Sequence, residues 1–393
     1  MSRRGIQIDP VEVPPGGELG RVAAAAGLFF ATAASMVVTA LASMPVEVSP
    51  DENLGFIAVL ERAYADQTAR GGALAMAAAL LAILVAHEAG HYVAARLHGV
   101  EVSLPQFLPF PLLSPFGTLG AVMRMPRPVR DRTKLFDLGA AGPLAGLVVA
   151  LPLYAYGVAT SERVPRAQAL ARGLELGSSL VSVGLEELFA PKGDASTDLV
   201  LSPLAFGAWG GLLLTMLNLL PIGQLDGGHV ATALFGNRWS RGAGFLHRAM
   251  LGAFFLLAIG PGAFAALSGG TFALLPHAGR ATFWFVWAEL VAVVAAVPGG
   301  EAASGRWVRL VGTLVLAYVG GHEIVRGSEQ LTLLWLSAVG AFVAEEVVRN
   351  GVVNERLAHP AVDGPGLCLE RQVVAWVTLA LFVLLLMPWP MAV

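Results

Sequence analysis

The chain has 393 residues, of which 56% are hydrophobic and 13% charged, and its mean hydropathy is +0.68. This balance excludes an ordinary soluble domain of this length and is typical of a polytopic membrane protein. The formal net charge of −3 and the scattered basic residues give no sign of a nucleic-acid partner, and one cysteine excludes an internal disulfide or a multi-cysteine metal site.

Apolar segments long enough to cross about 30 Å of hydrocarbon recur along the chain. Seven of them lie near residues 22–44, 71–97, 135–158, 202–222, 245–268, 281–298 and 372–389, and two shorter ones lie near 307–321 and 331–348. The sequence therefore predicts an all-α polytopic membrane protein with about seven to nine transmembrane helices.

A cytoplasmic N-terminus and nine spans would place most lysine and arginine residues on the cytoplasmic side. We therefore expect a multi-pass protein of the cell (inner) membrane with its N-terminus in the cytoplasm. The first span has an alternative interpretation, because Arg3-Arg4, the apolar stretch and Ala40-Leu41-Ala42 together resemble a cleavable signal. The topology of the later spans is the same under either interpretation.

The second span ends in the sequence His87-Glu88-Ala89-Gly90-His91. In a helix, the two histidines lie one turn apart on the same face, so both imidazoles can reach one ion. The pattern is a metalloprotease signature in which the glutamate serves as general base. Because the interfacial Arg96 follows His87 by about 13 Å at about 1.5 Å per residue, the site is expected in the cytoplasmic half of the membrane.

Residues 99–134 are too rich in proline and glycine for a spanning helix and too apolar for a free loop. They predict a short re-entrant or β-hairpin segment near 99–134, since irregular backbone is tolerated at membrane depth where it is buried in protein or lines a wet cavity. Such a segment could admit water or pair with an unwound substrate. An interfacial loop that only packs is the alternative.

Two histidines leave a catalytic zinc site incomplete, because such sites usually have three protein ligands and one open position. The best candidate for the third ligand is Asp226, within the segment 218–229 (NLLPIGQLDGGH). Pro221 and Gly223 would end or kink the fourth span, and Gly227-Gly228 would let the backbone turn sharply after the aspartate. An aspartate at membrane depth needs a partner, which a metal ion provides; an interfacial loop residue is the alternative.

Together these motifs make the chain similar to the site-2 proteases, a family of intramembrane zinc metalloproteases. The family's His-Glu-x-x-His motif is matched by His87, Glu88 and His91. Its later Asn-x-x-Pro-x-x-x-x-Asp-Gly motif is matched by Asn218, Pro221, Asp226 and Gly227. The resemblance covers roughly residues 71–235. Many relatives carry a PDZ domain between the motifs, for which this chain has no room, so it resembles the PDZ-lacking branch.

The resemblance implies one Zn²⁺ ion held by His87, His91 and Asp226, with Glu88 as general base and Asn218 as the residue that holds the substrate backbone. The segment 142–146 (GPLAG) also resembles a small-residue stretch of the family, and close helix packing alone would account for it. Two interpretations of His229 stay open, either support of Asp226 from behind or a solvated loop histidine.

We expect three regions: 1–70 with the N-terminal tail, first transmembrane helix and outside loop; 71–235 as the catalytic membrane core; and 236–393 as a C-terminal transmembrane helical region of unknown role. The predicted function is hydrolysis of a peptide bond within or near a substrate's transmembrane segment on the cytoplasmic side, in regulated intramembrane proteolysis. The expected partners are single-span or other transmembrane proteins and the lipid bilayer. The alternatives are a catalytically inactive scaffold that binds transmembrane partners, and a transporter, whose broken helices also mark ion pathways.

Overall fold

The protein is mostly helical in a computed structural model that describes residues 17–45, 55–112, 114–171, 175–194, 196–271, 275–294, 311–313, 315–316, 327–350, 357, 359–388 and 391–392. Its helices are α1 (Glu18–Ser43), α2 (Phe56–Ala65), α3 (Gln67–Leu97), α4 (Arg132–Ala159), α5 (Arg166–Ala171), α6 (Leu180–Phe189), α7 (Pro203–Asn218), α8 (Asp226–Phe235), α9 (Trp239–Leu267), α10 (Leu275–Val294), α11 (Glu329–Asn350) and α12 (Leu369–Leu385). A 3₁₀ turn, Gly236–Arg238, joins α8 to α9.

Four helical stretches in the described part of the chain are long and apolar enough to cross a membrane. They are Leu19–Ser43, Gln67–Leu97, Arg132–Ala159 and Asp226–Leu267. These stretches agree with a polytopic membrane protein, whereas the total of seven to nine helices stays a prediction. The expected span near 307–321 lies mostly outside the described residues.

Short strands form three antiparallel pairs among the described residues. Strands β1 (Gln106–Pro109) and β2 (Thr118–Val122) pair within the segment 99–134, with a register irregularity between Phe107 and Pro109. The other pairs join β3 (Glu162–Pro165) to β5 (Thr197–Val200) and β4 (Glu175–Leu176) to β6 (Met391–Ala392). The membrane depth of the β1–β2 segment stays a prediction.

The chain divides into two compact units. The first consists of Met1–Val129, Asp137–Ala169 and Leu180–Asn218. In this unit α3 packs closely on α7, because a Cβ at Gly207 would overlap the backbone of Met76 and one at Gly211 would overlap the Ile83 side chain. Small residues at such positions let helix backbones approach, which is how membrane helices gain packing energy.

The β1–β2 segment packs on α1 through specific hydrogen bonds. The Ser35 hydroxyl donates to the Gly117 carbonyl at 2.6 Å, and the Leu112 amide donates to the Thr39 hydroxyl at 3.0 Å. Gly117 has a positive φ of 72° and lies against the α1 backbone, where a Cβ would overlap Ser35. The irregular backbone of this segment is therefore buried against protein, the condition under which such backbone is tolerated in membranes.

The second unit consists of Arg130–Phe136, Leu170–Ser179 and Leu219–Val393. Here α9 packs on α10, and the buried His247 uses its Nε2 in a 3.0 Å hydrogen bond with the Ala288 carbonyl. The Trp284 indole donates to the Pro388 carbonyl at 2.7 Å, which ties α10 to the end of the chain. Helix α8 packs on α12 in the same unit.

Candidate metal centre

The two motif histidines lie on one face of α3, as their spacing predicts. His87 is 4% exposed, and its Nε2 lies 3.1 Å from the Nε2 of His91. Two nitrogens bound to one tetrahedral Zn²⁺ at about 2.0–2.1 Å would be about 3.3 Å apart. The pair therefore presents two ligand atoms at a separation that suits one zinc ion. Glu88 is also buried, at 6% exposure, and belongs to the same helix.

The ring of His91 is fixed by a backbone carbonyl on α4. Its Nδ1 lies 2.8 Å from the Leu138 carbonyl oxygen, which can only accept a hydrogen bond. In the neutral imidazole, Nδ1 must then carry the proton and Nε2 must carry the lone pair. A hydrogen bond of this kind sets both the tautomer and the orientation of a metal-binding histidine.

The helix that supplies this carbonyl is also joined to the end of α3. His98, which follows the last residue of α3, places its Nε2 2.8 Å from a carboxylate oxygen of Asp137. Asp137 directly precedes Leu138, so the contact lies beside the carbonyl that orients His91. The position of α4 along α3 is therefore fixed close to the ligand pair.

Glycines let α4 approach the histidines. A Cβ at Gly142 would overlap the His91 ring, and a Cβ on Gly90 of α3 would overlap the Ala141 carbonyl. At Gly146 a Cβ would meet the Cβ of His87 at 3.4 Å, an ordinary contact distance. The small-residue segment 142–146 is thus a packing feature, as the sequence suggests, but Gly142 packs directly on a predicted zinc ligand.

Asn218 is the last residue of α7, and its Nδ2 lies 3.4 Å from the Nε2 of His87. Its amide is therefore beside the predicted ligand pair. From this position an amide group can offer both a donor and an acceptor to a peptide backbone.

Asp226 begins α8, after a turn formed by residues 219–225. Helix α7 ends at Asn218, a few residues earlier than the predicted span, and the turn contains Pro221 and Gly223, whose φ is +52°. The Pro221 carbonyl accepts a 2.9 Å hydrogen bond from the Trp239 indole at the start of α9. This hydrogen bond ties the turn that precedes Asp226 to the start of α9.

The sequence interpretation of Gly227-Gly228 as a sharp turn after the aspartate is wrong. Both residues belong to the first turn of α8. A Cβ at Gly227 would overlap the Leu219 carbonyl, and one at Gly228 would overlap the carbonyls of Ile222 and Gly223. The glycines are needed because the start of the helix packs directly on the preceding backbone.

His229 is also not a solvated loop residue. It lies within α8 and is 7% exposed. The proline and the glycines of this segment predicted a loop that continues past His229. The helix in fact starts at Asp226, immediately after them.

His87 and His91 lie side by side in the first unit, and Asp226, the predicted third ligand, begins α8 in the second unit. Two neutral imidazoles and one carboxylate form a donor set that binds catalytic zinc and leaves a coordination position open. The residues therefore fit the Zn²⁺ ion that the sequence motif predicts.

Two hydrogen bonds that hold the end of α8 could not be predicted from the sequence. The guanidinium of Arg132 donates from Nε to the Ala233 carbonyl at 2.8 Å and from Nη2 to the Leu234 carbonyl at 2.7 Å. These are carbonyls of the last helical turn, which lack partners within a helix. Arg132 lies far away in sequence, and an arginine at the start of a span would ordinarily be assigned to the membrane interface.

Comparisons with known proteins agree with this site. Residues 75–259 match the model of Peptidase family M50. “Probable zinc metalloprotease EGY1, chloroplastic” from Oryza sativa subsp. japonica is 32% identical over 183 residues, which are 46% of this chain and 31% of that protein. “Probable zinc metalloprotease EGY2, chloroplastic” from Oryza sativa subsp. indica is 35% identical over 177 residues, 44% of this chain and 31% of that protein.

A further relative is “Probable zinc metalloprotease EGY2, chloroplastic” from Arabidopsis thaliana, which is 33% identical over 162 residues, 40% of this chain and 28% of that protein. The chain thus spans less than a third of the length of these curated relatives. No solved structure matches it. The matched segment contains both motifs, and over residues 75–259 the chain is similar to Peptidase family M50.

Proposed function

We propose that the chain is a zinc-dependent intramembrane endopeptidase. It hydrolyses a peptide bond within or near a transmembrane segment of its substrate, on the cytoplasmic side of the membrane. The observation that carries the proposal is the pair formed by His87 and His91, whose Nε2 atoms lie 3.1 Å apart on a helix long and apolar enough to cross a membrane. A histidine pair on a membrane-spanning helix and a carboxylate after a broken one supply three ligands for a hydrolytic metal.

The residues of the site have distinct roles in this proposal. A bound Zn²⁺ ion would supply Lewis acidity at the scissile carbonyl and would let water lose a proton near neutral pH. Glu88, buried beside the ligands, accepts that proton and later delivers it to the leaving amine. His87, His91 and Asp226 hold the ion. Asn218 holds the substrate backbone near the scissile bond.

The substrate must expose a peptide bond, because a helix hides its amides in hydrogen bonds between residues i and i−4. Transmembrane segments with helix-weakening residues near the cytoplasmic third are therefore the expected substrates. Cleavage would release a cytoplasmic fragment, as in regulated intramembrane proteolysis. The core 71–235 would perform this reaction within a multi-pass protein of the cell membrane whose N-terminus is cytoplasmic.

The direct test compares the wild type with Glu88→Gln in cells that express a tagged single-span substrate. We expect the wild type to release a shortened cytoplasmic fragment and the variant to release at least about 100-fold less, since general base catalysis contributes about 10²–10⁴-fold. Glu61→Gln is a matched control, because Glu61 is an exposed residue of α2. Equal cleavage by wild type and Glu88→Gln would refute the proposal, and binding without cleavage by the wild type would favour an inactive scaffold.

A further inference from the structure

The segment that precedes α12 contacts the helix that carries Asp226. His229 of α8 places its Nδ1 2.9 Å from the Nε2 of His359, and the two rings meet edge to face at 5.0 Å between centroids. His359 also places its Nδ1 2.8 Å from the Pro360 carbonyl. Two residues about 130 positions apart in sequence are therefore joined by a direct side-chain contact.

The Pro360 carbonyl determines which ring nitrogens of His229 and His359 carry the hydrogens. Because a carbonyl only accepts, the Nδ1 of His359 carries a hydrogen and, in the neutral ring, its Nε2 accepts one. His229 must then donate from its Nδ1. Burial lowers the pKa of His359, which favours the neutral ring. The contact therefore has a single direction, from His229 to His359.

A second contact holds the same segment against the end of α8. Asn237, just past the helix, donates from Nδ2 to the Val362 carbonyl at 3.1 Å and accepts from the Val362 amide at 2.8 Å. The ring of Phe235 also meets Trp376 of α12 at 5.5 Å between centroids. Residues 359–362 therefore run beside α8 and contact both its first half and its C-terminal end.

The start of α8 has no side-chain cap. Its N-cap residue is Leu225, which makes no side-chain capping hydrogen bond. Capping side chains satisfy the free amides of the first turn and thereby fix where a helix begins. His229 follows Asp226 by three residues, or about 4.5 Å along the axis, on a neighbouring part of the helix surface.

We propose that His359 is a positioning residue for the zinc ligand Asp226, and that it acts through His229 to fix the first turn of α8. This inference rests on the proposed function, because it assumes that Asp226 binds the metal. It gives the region before α12 a role in the metal centre. Mutation of residues that orient a metal ligand typically changes metal affinity by about 10–100-fold.

The test measures release of Zn²⁺ from the purified full-length protein to an excess of a chromogenic chelator. We expect His359→Ala to release zinc about tenfold faster than the wild type. His359→Gln should restore most of the retention, because its side-chain carbonyl can accept the hydrogen bond from His229. Gln372→Ala is the control: Gln372 donates to the Leu367 carbonyl at 2.7 Å in the same region, a contact that does not involve α8.

Hydrogen exchange of the metal-free protein provides a second readout that does not depend on bound zinc. In His359→Ala we expect faster exchange at the amides of the first turn of α8, with unchanged exchange in α3. If His359→Ala released zinc at the same rate as the wild type, the inference would be overturned. Equal damage from the alanine and glutamine variants, spread over all helices in the exchange data, would also overturn it, since it would show a general packing role.

The same measurements made in a Glu88→Gln background separate this inference from the proposed function. If Glu88→Gln retains cleavage activity, the proposed mechanism fails, while the zinc-release comparison still decides the role of His359. If Glu88→Gln is inactive and His359→Ala retains zinc normally, the proposed function stands and the inference fails.

Discussion

A single backbone carbonyl determines how His91 can serve as a ligand. The 2.8 Å contact with the Leu138 oxygen makes Nδ1 the donor, so Nε2, the atom that faces His87, carries the lone pair that could bind a metal. The ring can occupy this position because residue 142 has no side chain. The ligand geometry is thus set by α4 as much as by the motif on α3.

Gly142→Ala tests this dependence at the residue scale. Its Cβ would overlap the His91 ring, which cannot move without losing the Leu138 hydrogen bond. We expect cleavage activity to fall about 100-fold, since a displacement of about 1 Å in a catalytic site has costs of that order. Zinc content by atomic emission and cleavage of a tagged substrate are the two measurements.

Gly146→Ala is the matched control, because its Cβ would meet His87 at an ordinary 3.4 Å. We expect it to keep more than half of the wild-type activity. A Gly142→Ala protein with normal zinc content and normal cleavage would show that the His91 ring has no need of this space.

At the scale of single residues, the sequence predicted the candidate ligands, because spacing in a helix is a local property. The i and i+4 positions of His87 and His91 determine that both imidazoles share a face. The Leu138 carbonyl, the role of Arg132 and the partner of His229 could not be predicted, because each contact joins residues distant in sequence. The roles of Glu88 and Asn218 stay predictions.

Helix α8 shows how a short element is held by distant parts of the chain. It has ten residues and carries Asp226 in its first turn. Its last carbonyls bind Arg132, and Gly236, with a φ of +71°, ends it. A helix of this length is marginal alone, so its stability must come from such contacts.

Arg132→Leu should destabilise this element. The substitution removes two hydrogen bonds from a charged donor and leaves the Ala233 and Leu234 carbonyls without that donor. We therefore expect the free energy of unfolding to fall by about 2 kcal/mol. The measurement is equilibrium unfolding in mixed detergent micelles. Arg130→Leu is the control, because Arg130 is 68% exposed and pairs with Asp363 only at 3.9 Å, an interaction that contributes little.

The free energy of unfolding of Arg130→Leu should lie within about 0.5 kcal/mol of the wild-type value. Similar destabilisation by both substitutions would show that stability depends on the positive charge and not on the two hydrogen bonds from Arg132 to α8.

Helix α6 offers a prediction about pH. The Tyr154 hydroxyl donates to Glu186 at 2.5 Å, and burial raises the pKa of this carboxyl above its usual range. A raised pKa means that the folded state favours the protonated acid. Its contribution to stability is therefore full below the usual pKa of glutamate and is lost as pH rises through the raised value.

We expect amide exchange in α6, corrected for intrinsic rates, to become faster as the pH rises through the raised pKa of Glu186. Glu186→Gln should remove this pH dependence, because its amide does not titrate. An identical pH profile in the variant would assign the effect to another group.

On the scale of the whole molecule, hydropathy predicted membrane character and the positions of the long helices. Helices α1, α3 and α4 lie where the apolar segments predict them, since any segment of this length and composition satisfies its backbone best as a helix. The end of α7 and the start of α8 were less predictable, because proline and glycine mark a break without specifying which residues fold after it. The orientation and the number of spans stay predictions.

Cys368 provides a test of orientation, because it is the chain's one cysteine and is exposed before α12. Hydrogen bonds from the backbone and the guanidinium of Arg371 lower the pKa of its thiol, which favours reaction with maleimides. With the proposed topology, a membrane-impermeant maleimide should label it only after the cells are permeabilised.

A Cys368→Ser, Asp194→Cys protein is the complementary control. Asp194 is exposed in the segment predicted to lie outside, so this variant should label in intact cells. Labelling of Cys368 in intact cells would reverse the proposed orientation.

Helix α7 has 16 residues and is therefore about 24 Å long, whereas a typical hydrocarbon layer is about 30 Å thick. Most of α7 is buried in protein, so in the proposed topology the membrane around the core must thin, or water must enter near Asn218, to accommodate the difference. Reconstitution into phosphatidylcholines of graded acyl-chain length should consequently show faster turnover in short-chain lipids, so that the composition of the surrounding lipid would itself act as a rate control.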